Sequence, residues 1–205
     1  MKKKIFSIAL VACLVVLSIA GASMAYFTDT DAETNVFTSG KVDITLTTSS
    51  SLNTDGAYPG QVFDMDAKIT VTDGSMSAYV GAIITLTDDE LATFLEADNA
   101  DNIEEFLGLG ELTGCTVKYD VDADPYKVYV VVDTAVDANS SVDVLKKVNI
   151  PAKWDNAKME AFGDFTLQID AYATQKLGFA EGTTAGNALY LAFGSDWAVF
   201  APATP

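Results

Sequence analysis

Beyond residue 40 the chain alternates mostly with a period of two. Val42, Ile44 and Leu46 are interleaved with Asp43, Thr45 and Thr47, the spacing of a strand with one buried and one wet face. Residues 62–72 predict a second strand that closes on the turn signal Asp73-Gly74. Residues 78–87 (AYVGAIITLT) are apolar almost without interruption, which predicts an interior strand. A strand also starts at Cys115 and runs through Tyr119. Residues 126–133 (YKVYVVVD) and 141–150 add two more, the second stopped by Pro151. At 165–173 (FTLQIDAYA), Phe165, Leu167, Ile169 and Ala171 share one face, and Thr166, Gln168, Asp170 and Tyr172 the other.

Helical spacing interrupts this pattern in few places. Thr87-Asp-Asp-Glu90 is a capping-box sequence, followed by Leu91, Phe94 and Leu95. Asp101-Asn-Ile-Glu104 repeats the motif with Ile103, Phe106 and Leu107. A third helix is expected over 184–193, weakened by Gly186. About seven strands with short helical insertions predict an all-β fold, a β-sandwich. No repeat or internal linker divides it, so the expected layout is one domain over 41–200 and a frayed tail at 201–205.

The first 40 residues follow other rules. Lys2, Lys3 and Lys4 precede an apolar run over 5–20, and then small residues, which reads as a signal peptide over 1–25. Ser23 and Ala25 occupy the −3 and −1 positions if cleavage falls between Ala25 and Tyr26. The run is shorter than the roughly 20 apolar residues of a spanning helix, which favours cleavage over anchoring. Leu10-Val-Ala-Cys13 resembles a lipoprotein box only superficially, because residues 14–20 behind it are still apolar. Residues 26–40 form a separate N-terminal segment. At the other end there is no sortase-type LPxTG sequence.

Composition narrows the chemistry. The 205 residues carry 12 basic and 29 acidic side chains and no histidine, a net charge of −17. Every basic residue is a lysine. Without His there is no Ser-His-Asp or Cys-His pair and no HExxH zinc site. Without Arg there is no bidentate guanidinium clamp. Residues 1–25 hold three of the lysines and none of the acids, so the remainder carries a net charge of −20. That balance argues against nucleic acid as a partner, since phosphate binding needs clustered cations. Only Cys115 lies beyond the signal peptide, which excludes an intrachain disulfide in the processed chain and predicts a buried, inert thiol.

Few residues have the spacing of a site. Asp120, Asp122 and Asp124 are spaced like the start of a calcium loop, but Pro125 stands where such a loop requires Gly, and Val132 where it requires Glu. Solvated acids in a turn are the plainer reading. Asp29, Asp31 and Glu33 are a second weak Ca²⁺ set, and 88–90 are better explained as charge at a helix start. No cofactor is expected, with Ca²⁺ the one candidate ion, and no catalytic residue is assigned.

The N-terminal region also carries a resemblance. Ala25-Tyr-Phe-Thr-Asp-Thr-Asp31, Asn35-Val-Phe-Thr-Ser-Gly40 and Lys41-Val-Asp-Ile-Thr-Leu46 resemble the TasA/camelysin family of secreted Gram-positive proteins. Tyr58-Pro-Gly-Gln61, Ser77-Ala-Tyr-Val80 and Phe165 to Gln175 resemble later motifs of the family, while residues 100–160 match least. The resemblance implies a jelly-roll-like sandwich, processing by a SipW-type signal peptidase, and secretion to the extracellular matrix or cell surface. It implies fibres or surface layers of biofilm matrix or spore coat, built by passing an N-terminal strand to the next subunit. The partner would be a second copy of the chain. Some relatives are described as metalloproteases, and this chain lacks every His such a site would use.

The residues suit strand donation. Segment 26–39 has apolar ends, Tyr26 and Phe27 then Val36 and Phe37, with polar and acidic residues between them and Gly40 as a hinge before the first firm strand. Burying these four side chains in a neighbour contributes about 1.5–3 kcal/mol each, against about 1–2 kcal/mol per residue for ordering the segment. The rival view is that the segment completes its own domain. The alternative function is a monomeric secreted module that binds Ca²⁺ or an exopolysaccharide.

Overall fold

The structure is a computed structural model that describes residues 41–48, 57–86, 100–120, 123, 125–155, 159 and 167–202. By contacts the chain divides into two compact units, 1–39 and 40–205, and all described residues belong to the second. Among the described residues seven strands appear in chain order: β1 (Ile44–Thr48), β2 (Val62–Val71), β3 (Ala78–Leu86), β4 (Cys115–Asp120), β5 (Tyr126–Val132), β6 (Ser141–Asn149) and β7 (Leu167–Gln175). Helix α1 (Ala100–Phe106) and a short 3₁₀ turn (Leu109–Glu111) precede β4. Helix α2 (Ala185–Phe193) and a 3₁₀ segment (Gly194–Phe200) follow β7.

The strands form two antiparallel sheets, a three-stranded one ordered β1-β2-β6 and a four-stranded one ordered β4-β5-β3-β7. Their facing side chains make the main core. Met65, Ala67, Ile69 and Val71 come from β2, and Val80, Ala82, Ile84 and Leu86 from β3. Val128 and Val130 of β5 and Val144, Leu145 and Val148 of β6 complete the layer. Each set alternates along its strand because successive side chains point to opposite faces. In β6 both Val144 and Leu145 are buried, where the pairing with β2 shifts register around Ala67. Helix α1 adds Ile103 and Phe106, whose ring stacks on Trp154 at 6.3 Å.

A second, smaller core lies on the far side of the four-stranded sheet. Ile83, Tyr129 and Val131 point outward from it, and Ala185, Leu189, Trp197 and Phe200 of the C-terminal helical segment cover them. Gly81 makes this close approach possible. A Cβ there would stand 2.6 Å from Trp197 Cη2 and 2.9 Å from Leu189 Cδ1. The described residues thus form three layers, sheet, sheet and helical cover.

The sequence expectations held in kind and moved at their ends. β1 starts at Ile44 and runs to Thr48, although Val42 still packs on the core. β7 extends to Gln175, two residues beyond the predicted end. The second capping-box stretch is α1, and the first lies outside the described residues. The third helix forms despite Gly186, capped by Thr184, whose Oγ1 accepts from Asn187 N at 3.3 Å.

Candidate functional site

The residues expected to carry assembly, Tyr26, Phe27, Val36 and Phe37, lie outside the described residues, as do Ala25 and the acids Asp29, Asp31 and Glu33. Of the calcium-like triplet, Asp120 ends β4 and pairs across the sheet with Lys127, and Asp122 and Asp124 lie outside the described residues.

What the fold does display is strand edges. Among the described residues β1 and β6 end the three-stranded sheet, β4 and β7 the four-stranded one. Each end strand has a row of N–H and C=O groups that its own sheet does not use. β6 is partly blocked by the turn after α1. Lys147 Nζ pairs with the Glu111 carboxylate, Lys146 Nζ donates to Glu111 O at 3.2 Å, and Asn149 Nδ2 donates to Glu105 O at 2.6 Å. Between that turn and the strand lies an open cavity of about 410 Å³, lined by Glu104, Glu105, Glu111, Lys147 and Asn149. β1 has no such cover among the described residues. Just ahead of it, Asp43 N donates to Ser75 Oγ at 3.0 Å, and Thr72 N and Met76 N donate to Asp43 O and Lys41 O. These bonds hold the entry to β1 against the turn after β2.

Cys115 departs from the expectation of a buried thiol. It is half-buried and lines a cavity of about 200 Å³ with Leu112, Val132, Val142, Asp143 and Lys146. Burial, and then the carboxylate of Asp133, push its thiol above the ordinary value, with Asp143 adding to the rise and Lys146 opposing it. A thiol so perturbed stays protonated and is a poor nucleophile. Two tyrosines on the outer face of the four-stranded sheet are shifted the same way. Tyr129 is raised by burial and then by Asp120, Asp196 and Tyr172; Tyr172 is raised by burial and then by Asp170 and Asp196.

No local pattern marks the outer core, because its members are spread over β3, β5, β7 and the C-terminal segment. The one available clue was the unbroken apolar run at 78–87, which fits a strand buried on both faces.

A family model described as camelysin metallo-endopeptidase matches residues 1–161. No curated protein and no solved structure matches the chain. That description implies a catalytic metal. The sequence has no histidine, and among the described residues no three Cys, Asp or Glu side chains gather where they could hold an ion. The described residues do not fit a catalytic metal centre. No helix among the described residues is long and apolar enough to cross a membrane. With a match over about four-fifths of its length, from the first residue through β6, the chain belongs to the camelysin family.

Proposed function

We propose that this protein is a secreted structural protein that polymerises by N-terminal strand donation, and that it is not a protease. The observation that carries the reading is the three-stranded sheet. Among the described residues it has one strand fewer than the sheet it packs against, and β1 ends it without a covering strand. An added strand satisfies the open backbone groups of such an edge. Segment 26–39 has the apolar ends for that role and is set free when the chain is cut between Ala25 and Tyr26 by a SipW-type signal peptidase. Passed from copy to copy, the contact is head-to-tail and does not close, so it builds a filament. Family membership supports secretion and a structural role. A jelly-roll-like strand order in the assembled subunit is part of the same proposal.

The absence of histidine supports the second half of the reading, since a zinc endopeptidase relies on imidazole ligands. Deleting residues 26–38 tests donation. A folded monomer that forms no fibres supports it, and an unfolded product, or undiminished fibres, sinks it. Chelator-sensitive cleavage of casein by the pure protein would overturn the non-enzymatic reading.

A further inference from the structure

The C-terminal segment after β7 is attached to the sandwich in an unusual way. The last backbone bond on that side is Lys176 N to Ser77 O at 2.9 Å. Beyond it, residues 177–183 include Gly178 (φ 103°) and Gly182 (φ 86°), backbone angles that few side chains would tolerate. Leu177 there is 68% exposed. From Thr184 to Phe200 the backbone bonds are local: Ala188 N to Thr184 O, Gly194 N to Tyr190 O and Ala201 N to Ala198 O. Among the described residues no backbone hydrogen bond joins this segment to either sheet. Side chains alone hold it down.

Those side chains fit a shaped seat. The outer face of the four-stranded sheet places Val131, Gly81 and Tyr172 in one cross-strand row and Tyr129 and Ile83 in the next. Trp197 fills the space left by the missing Cβ of Gly81 and meets Tyr129 and Tyr172 edge-on at 5.6 and 5.4 Å. Gly186 leaves room for the Phe200 ring within the segment itself. Lys118, on the edge strand β4, reaches over Phe200 at 4.6 Å from the ring centroid and donates to Val199 O at 2.7 Å. The docked position has a cost: the Trp197 indole N–H is fully buried and finds no hydrogen-bond partner. The matched part of the chain ends at residue 161, so β7, the hinge and the cover all lie beyond it.

We propose that Thr184–Phe200 is a strap that opens as a unit on the hinge 177–183 while the sandwich stays folded, and that the seat it leaves accepts the strap of a second copy of this chain. The occupant follows from shape. A socket at Gly81 that takes an indole, flanked by two tyrosines and an edge lysine, is complementary to this strap, and every copy carries one. Exchange of an identical element between copies replaces each intramolecular contact by the same contact across the pair, so it needs only a hinge that lets go. The proposal is independent of strand donation, which uses the opposite terminus and the other sheet.

The test has two arms. Hydrogen exchange on the unaltered protein comes first: amides of α2 are expected to exchange at least tenfold faster than those of β3 and β5, with a common rate across the strap. One shared rate for strap and sheets overturns the opening. In the second arm, deleting Gly178–Glu181 leaves the hinge too short to fold back. The expected product is a dimer by light scattering, with the Trp197 emission still that of a buried indole. A monomer overturns exchange, whether Trp197 is buried or exposed. Should that variant fail to fold, the unaltered chain, concentrated in urea below the transition reported by Trp154 and then diluted, is expected to run as a slowly dissociating dimer. A monomer there overturns exchange as well.

Discussion

The two sheets of this sandwich share one core and differ on their outer faces. On the three-stranded sheet the outer rows are Thr45–Thr70–Ser141 and Thr47–Lys68–Asp143. Thr70 and Ser141 hydroxyls bond at 2.8 Å, and Lys68 lies 3.6 Å from Asp143 and 3.7 Å from Asp66. On the four-stranded sheet the corresponding positions are Val131, Gly81, Tyr172, Tyr129 and Ile83, and they are covered. The first face is polar, and its side chains pair with neighbours across the strands. The second is an apolar surface that a solvated sheet does not leave bare. The difference shows that the cover belongs to the sheet beneath it as much as to its own helix.

The comparison breaks most sharply at Trp197. Trp197→Ala removes the largest side chain of the outer core, a loss of about 3–5 kcal/mol for a buried aromatic. The expected outcome is more than a hundredfold loss of amide protection in α2 with β2 and β6 little changed, read by hydrogen exchange. An equal loss in both sheets would show that the two cores are one cooperative unit. A Cβ at Gly81 tests the same seat from below. Gly81→Ala is expected to cost about 1–3 kcal/mol by overpacking against Trp197 and Leu189, and to red-shift the tryptophan emission. Unchanged emission and stability would mean the indole does not sit where Gly81 admits it.

Alkaline titration sharpens the contrast. Tyr129 and Tyr172 both have folded values raised above the ordinary 10.0, so folding favours their neutral forms. The stability they lend is complete below that value and is lost as pH rises from it through the folded values. The cover is therefore expected to loosen above about pH 10, seen as Trp197 exposure, before the polar-faced sheet responds. A smaller effect is expected at Lys118→Met, which keeps the stem and removes the charge over Phe200. A cost of about 1 kcal/mol in strap protection, abolished by no change in salt, fits a partly desolvated cation–π contact. The smallest belongs to the other face: Thr47→Ala is expected to stay within about 0.5 kcal/mol in urea melts.

How much of this was legible follows from the distance over which each signal acts. Alternation marked β1 and β7, as at Val42, Ile44 and Leu46, because a strand's buried face is encoded by residues two apart, and an unbroken apolar run marked β3. Thr184 marked a helix start because a cap acts on its own first turn. Strand ends drifted by a residue or two where pairing partners, not local pattern, decide them, as at Gln175 opposite Ala78. The thiol of Cys115 was misjudged as buried because its exposure depends on a cavity formed with β5, β6 and the turn before β4.

The sequence by itself determined the all-β class, the lack of imidazole chemistry, the acidic surface and the family, since composition and local spacing survive without knowing what packs on what. Only the tertiary structure decided that the outer face of one sheet is closed by the chain's own C-terminus and that of the other stays wet. Tyr129, Tyr172, Gly81 and Trp197 are separated by up to more than a hundred residues, and no periodicity links them. What joins them is a register across three strands that puts Val131, Gly81 and Tyr172 side by side and leaves one Cβ out. That gap takes an indole, and it exists only once the strands have paired.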